Sequence, residues 1–168
     1  LVVWGYNEFV EETRFATLDR ATDTWLTGQF NSTDALGKFI RLASDPTSDQ
    51  IVAAFGEGAT DDDVGLSVWG GTNWHDTVEM TLFGLARSRA MAVGWLGATG
   101  QAFGLYRDQA QTGVFQWAQL NSGGWRRMSE VFLPGVGQLV QAETRRIPGT
   151  NRTMVLLLCV FGGVGGAV

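Results

Sequence analysis

Apolar and polar positions along this chain alternate with the period of β-strands. Runs rich in β-branched and aromatic residues recur at intervals of roughly a dozen residues, separated by clusters of Gly, Asn, Asp, Ser or Thr. The pattern predicts strands over 1–6, 13–18, 25–30 and 38–43, then over 51–55, 64–69, 78–82 and 90–96. A third set follows over 102–106, 113–118, 126–131 and 138–144, and a last strand over 153–160. Within 126–131, Met128 and Val131 fall between polar neighbours, as on a strand with one wet face. The run 153–160 is apolar throughout, which predicts a strand covered on both faces. A helix over 79–94 is the competing reading there, but Gly84, Gly94 and the lack of a capping residue weigh against it.

The strand sets repeat. Leu1-Val2-Val3-Trp4-Gly5 matches Ile51-Val52-Ala53-Ala54-Phe55-Gly56, then Ala102-Phe103-Gly104-Leu105-Tyr106, then Met154-Val155-Leu156-Leu157-Leu158. Trp4, Phe55 and Tyr106 follow one another at 51 and 51 residues. Trp25, Trp74 and Trp125, each after a small or polar turn, follow at 49 and 51. A third landmark is the turn that precedes each new unit, at 45–50, 97–101 and 148–152. Residues 1–168 therefore read as a single repeat domain with units 1–50, 51–101 and 102–152. Residues 153–168 start a fourth unit and end in a Gly-rich tail.

Four short strands at this period predict an all-β fold of antiparallel four-stranded blades. It is β-propeller-like, with about three blades plus one strand. The tryptophan after each turn is expected to pack between blades, as are Trp4 and Trp95. Trp69 and Trp117, at strand ends beside turns, are the ones expected at the surface.

The strings LVVWG, FIRLASDPTSDQIVAAFG, GLSVWGGTNW and VFQWAQLNSGGW resemble repeats of functionally uncharacterised bacterial secreted or surface proteins. Those repeats alternate a VVWGD-like strand, a hairpin ending in tryptophan and a WIRLAADP-like strand and turn. The resemblance spans essentially the whole chain. It implies an extracellular or cell-surface location and, in the broad sense, the kelch- and sialidase-like propeller class. The sialidase-type Ser-x-Asp-x-Gly-x-x-Trp box is not matched here.

Composition narrows the function classes. With 45% hydrophobic residues and seven tryptophans in 168, the chain is no disordered coil, and its single cysteine has no partner for a disulfide. Twelve basic against 17 acidic residues, net −5, argue against a nucleic-acid partner. No uncharged apolar stretch reaches the ~18 residues of a membrane span. The chain opens on LVVWG without Met or signal peptide, which reads as a start inside a longer protein or after processing.

No catalytic residue, metal site or cofactor is expected. His75 is the only histidine; Asp76 is too near in sequence to orient it, and no G-x-S-x-G elbow exists. One His and one Cys exclude an ordinary zinc site. Asp61, Asp62 and Asp63, with Glu57, read as a solvated hairpin loop, and Asp45 and Asp49 as turn formers. Asn31 and Asn151 stand in N-x-[ST] motifs.

Two readings carry a site. Three units are too few to close a propeller. The terminal strands, with Leu1, Val2, Val3 and Trp4 at one end and Met154, Val155, Leu156, Leu157 and Leu158 at the other, are then open edges. This predicts a non-enzymatic extracellular structural or adhesive module that pairs with further copies, or with the rest of a longer propeller. The alternative is a lectin-like propeller, with Trp69, Asn73 and Asp76 as one sugar site and Trp117, Gln119 and Asn121 as another. The first unit departs from that pattern, having Leu18 and Asp19. A fragment of a propeller glycoside hydrolase is the third reading, resting on fold analogy alone.

Overall fold

The computed structural model describes residues 2–4, 13–29, 39–56, 64–80, 91–97, 99–107, 113–134 and 138–160; at 2–4, 138–140 and 159–160 the backbone alone is described. The fold is all-β with antiparallel sheets, and no helix among these residues is long and apolar enough to cross a membrane. Strands β1 (Val2–Trp4), β2 (Arg14–Asp19) and β3 (Thr24–Gln29) form a three-stranded sheet in chain order. Strands β4 (Phe39–Ser44), β5 (Ile51–Gly56), β6 (Val64–Trp69) and β7 (Trp74–Met80) form a four-stranded one. In the third sheet β8 (Met91–Leu96), β9 (Gln101–Arg107), β10 (Val114–Asn121) and β11 (Gly124–Arg127) run in the same order. The short β12 (Val131–Phe132) also pairs with β10. Strands β13 (Gln138–Arg146) and β14 (Thr153–Val160) form a sheet of two.

The 51-residue spacing of the sequence landmarks recurs in the hydrogen-bonding register. Ser44 faces Ile51, Trp95 faces Ala102 and Arg146 faces Thr153, each residue 51 on from its predecessor. One ladder further out, Phe15 faces Val3, Leu66 faces Ala54 and Trp117 faces Leu105. At the next hairpin Leu18 faces Trp25, Trp69 faces Trp74 and Leu120 faces Trp125, spans of seven, five and five residues. Two extra residues in the first hairpin account for the 49-residue step between Trp25 and Trp74.

The sheets stack face to face with corresponding strands adjacent. Strand β8 lies beside β4 and β5 on one side and beside β13 and β14 on the other; β6 meets β9 and β7 meets β11. Burial from both sides explains why β8, MAVGWL, is apolar at every position. The main core fills the space between the second and third sheets. Val52, Ala54, Leu66 and Val68 meet Met91, Trp95, Ala102, Tyr106 and Ala118 there. Leu66 fits over Gly104: a Cβ on that glycine would stand 2.6 Å from Leu66 Cδ2. Burying such a leucine contributes about 1.5–3 kcal/mol.

Several expectations need correction. Strand β7 begins at Trp74 rather than at 78, because Gly70 N–H donates to Asn73 C=O (3.0 Å) and reverses the chain within four residues. The single strand expected over 126–131 is two, β11 and β12; between them Met128 N–H donates to Trp117 C=O (2.9 Å). The 153–160 strand is not covered on both faces: Met154, Val155, Leu156 and Leu158 are exposed, since among the described residues a neighbouring sheet packs against one side only. Trp25 is 54% exposed instead of packed between sheets, because among the described residues no sheet lies on its side. Trp95 does pack in the core (6% exposed) and donates its indole N–H to Ala43 C=O (2.9 Å). The helix considered over 79–94 has strand at both described ends, with 81–90 outside the described residues.

Candidate functional site

The first proposed sugar site is not assembled. Trp69 ends β6 with both faces occupied and is 6% exposed, so the expectation of a surface indole fails there. Its ring meets Phe15 edge-on at 5.1 Å and Trp74 at 5.6 Å, the favoured arrangement for aromatic quadrupoles. Asn73 is spent in the turn, where its side-chain oxygen accepts from Thr72 Oγ (3.2 Å). Asp76 sits at φ +50°, a left-handed conformation that suits Asp better than most residues. Its Oδ2 lies 2.7 Å from His75 Nδ1, so sequence adjacency does not keep the two apart as expected. The other ring nitrogen of His75 lies over Gly70, which has no side chain to exchange a proton with.

The second set is partly brought together. Trp117 and Gln119 point from β10 into a cleft of about 460 Å³ between the third sheet and β14, shared with Gln101, Leu105 and Val155. Gln119 Nε2 donates to Gln101 Oε1 at 2.5 Å, leaving both amides further hydrogen-bonding capacity toward the cleft. Trp117 is half-buried. Asn121 is not part of this cleft: its side chain accepts from Gly123 N–H (2.9 Å) and fixes the hairpin turn. The equivalent face of the second sheet, 51 residues earlier, has no such opening, because Leu66 and Gly104 close it. Here a Trp and Val155 replace that Leu and Gly, and the larger side chains hold the sheets apart. Sequence reasoning missed Gln101 and assigned Val155 to an assembly edge; the pairing of β9 with β10 and the stacking of β14 bring both to Trp117.

The strands expected at the assembly ends stand as follows. Leu1 lies outside the described residues, while Val2, Val3 and Trp4 form β1, which pairs with β2 at three positions. In β14, Leu157 packs against the main core, whereas Met154 (42%), Val155 (37%), Leu156 (47%) and Leu158 (60%) are exposed. Among the described residues β14 is paired on one edge only, with β13. No charged residue and no proline interrupts Thr153–Val160 to protect the other edge.

A second concave feature, about 290 Å³, lies where β4, β8 and β13 adjoin, bordered by Arg41, Glu143 and Arg145. Arg41 Nη2 is buried there without an acceptor, and Glu143 accepts from Gln141 Nε2 (2.9 Å). Asp45 begins the turn after β4, taking hydrogen bonds from Thr47 N–H (3.0 Å), Thr47 Oγ (2.9 Å) and Ser48 Oγ (2.6 Å). Burial acts to raise its pKa, but the bonds from Ser48 and Thr47 outweigh burial, helped by the charge of Arg146, and hold it below the usual carboxylate value. Asp45 is thus structural. Among the described residues no three His, Cys, Asp or Glu side chains come together as metal ligands. The acidic run 61–63 with Glu57, and the motif at Asn31, lie outside the described residues; Asn151 is exposed in the turn before β14.

Comparison with protein-family models and with curated proteins finds no match to this chain.

Proposed function

We propose that this chain is a non-enzymatic structural or adhesive module, built from propeller-type blades, that self-associates through its terminal sheets. The observation that carries the reading is β14: an eight-residue apolar strand with one edge unpaired among the described residues and four exposed large side chains. Unprotected edges of this kind recruit another strand, because each open N–H and C=O and each wet apolar side chain gains by pairing. The recurrent register and the side-by-side placement of β4, β8 and β13 support the propeller-type reading, in which those strands line a common axis. An extracellular or cell-surface location rests on the resemblance to repeats of secreted bacterial proteins. Sedimentation mass over a range of concentrations tests the reading.

A second reading, sugar binding, is favoured by one observation: the half-open Trp117 ring beside the Gln101–Gln119 amide pair. An indole face with flanking amides suits the apolar face and hydroxyls of a sugar ring. Glycan-array signal lost in Trp117→Ala, and retained in variants of the first trio, supports it; an empty array for the wild type rejects it.

A further inference from the structure

At one internal sheet interface a side chain from the second strand-pair ladder enters a residue pair on the neighbouring sheet, and at the next the equivalent residues share one core. Phe15 meets Trp69 and Trp74, at 5.1 and 6.1 Å between ring centres. Leu66, 51 residues on, shares one apolar core with Leu120 and Trp125, and Trp125 also donates its indole N–H to Asp76 C=O on the sheet it faces. Each receiving pair sits cross-strand at the same hairpin, Trp69 with Trp74 and Leu120 with Trp125. The third inserting residue in the series is Trp117, which faces the open cleft. The third receiving pair is Leu18 with Trp25, 38% and 54% exposed. One unfilled member of the series therefore lies at each end of the stack.

Resting on the self-association reading above, we propose that the two belong together: Trp117 of one copy inserts between Leu18 and Trp25 of a second copy, head to tail. The β2–β3 hairpin of the second copy then extends the β13–β14 sheet to four strands, the order found in the complete sheet β4–β7. Strand β1 is the equivalent of β14 in register, and among the described residues three pairs hold it to β2. The eight-residue β14 of the first copy takes the place of β1 beside β2. The repeat fixes the register: Phe15 of the second copy opposite Leu156 of the first, and Thr17 opposite Met154. By the same equivalence the Trp25 indole N–H donates to Arg127 C=O, as Trp125 does to Asp76. The interface is heterologous, so it forms a ring if the rotation closes and a filament otherwise.

The test uses sedimentation of full-length chains and a cross-link. Trp25→Asp and Trp117→Asp each raise the concentration for half-assembly at least ~10-fold, as expected for a central aromatic anchor. Mixed together, the two variants form a 1:1 pair, since each retains the half the other lacks. Thr17→Cys mixed with Met154→Cys, both carrying Cys159→Ser, forms an inter-chain disulfide under mild oxidant; this holds the test even if Trp117→Asp fails to fold. Assembly by the wild type that survives both substitutions, with no cross-link, overturns this interface while leaving self-association standing. A wild type that never assembles overturns both.

Discussion

Trp125 donates its indole N–H to the main-chain carbonyl of Asp76, tying the fourth strand of one sheet to the fourth strand of the next. Trp125→Phe keeps most of the ring and removes the donor. Urea unfolding is expected to show a loss of about 0.5–1.5 kcal/mol, the net worth of a typical internal hydrogen bond. An unchanged midpoint would mean that the bond contributes nothing in solution.

Leu66 packs closely over Gly104 across the two sheets of the main core. Gly104→Ala places a methyl against a fully buried leucine and is expected to cost about 1–3 kcal/mol through overpacking. Leu66→Ala opens a cavity and costs about 2–5 kcal/mol. In the double variant the new methyl occupies part of that cavity, so the two costs add to less than their sum. Strict additivity in the double-mutant cycle would show that the residues do not touch.

Asp45 makes stability depend on acid pH in a defined direction. Its folded pKa lies below the ordinary 3.8, so the unfolded chain binds the proton first as pH falls. Its contribution is fully present above that ordinary value and is lost as pH falls through the folded pKa. Asp45→Asn is therefore expected to be less stable than the wild type at neutral pH and to converge on it as pH falls below 3.8 and through the lowered folded pKa. Urea midpoints measured for both proteins across this range check the sign. A gap that widens in acid contradicts it.

Much of this architecture is legible in the sequence because strand residues announce their own spacing. Trp4, Phe55 and Tyr106 are 51 apart, and the structure places them opposite Arg14, Gly65 and Gln116, also 51 apart. Local alternation suffices for that. Exposure was not legible, because it depends on which sheet stands opposite. Trp69 and Trp117 read alike in the sequence, yet Trp69 ends β6 and meets Phe15, while Trp117 falls in mid-strand of β10 instead of at its end and opens on a cleft. Trp25 and Trp74 share a motif but differ in having a neighbour. The contact of His75 with Asp76 occurs beside a positive φ at Asp76, which no strand pattern signals.

The sedimentation mass of the unmodified chain, followed from low to high concentration, tests the central claim most directly. Self-association through the terminal sheets predicts a mass that rises with concentration in multiples of 18.2 kDa. A mass fixed at 18.2 kDa at every concentration would contradict it.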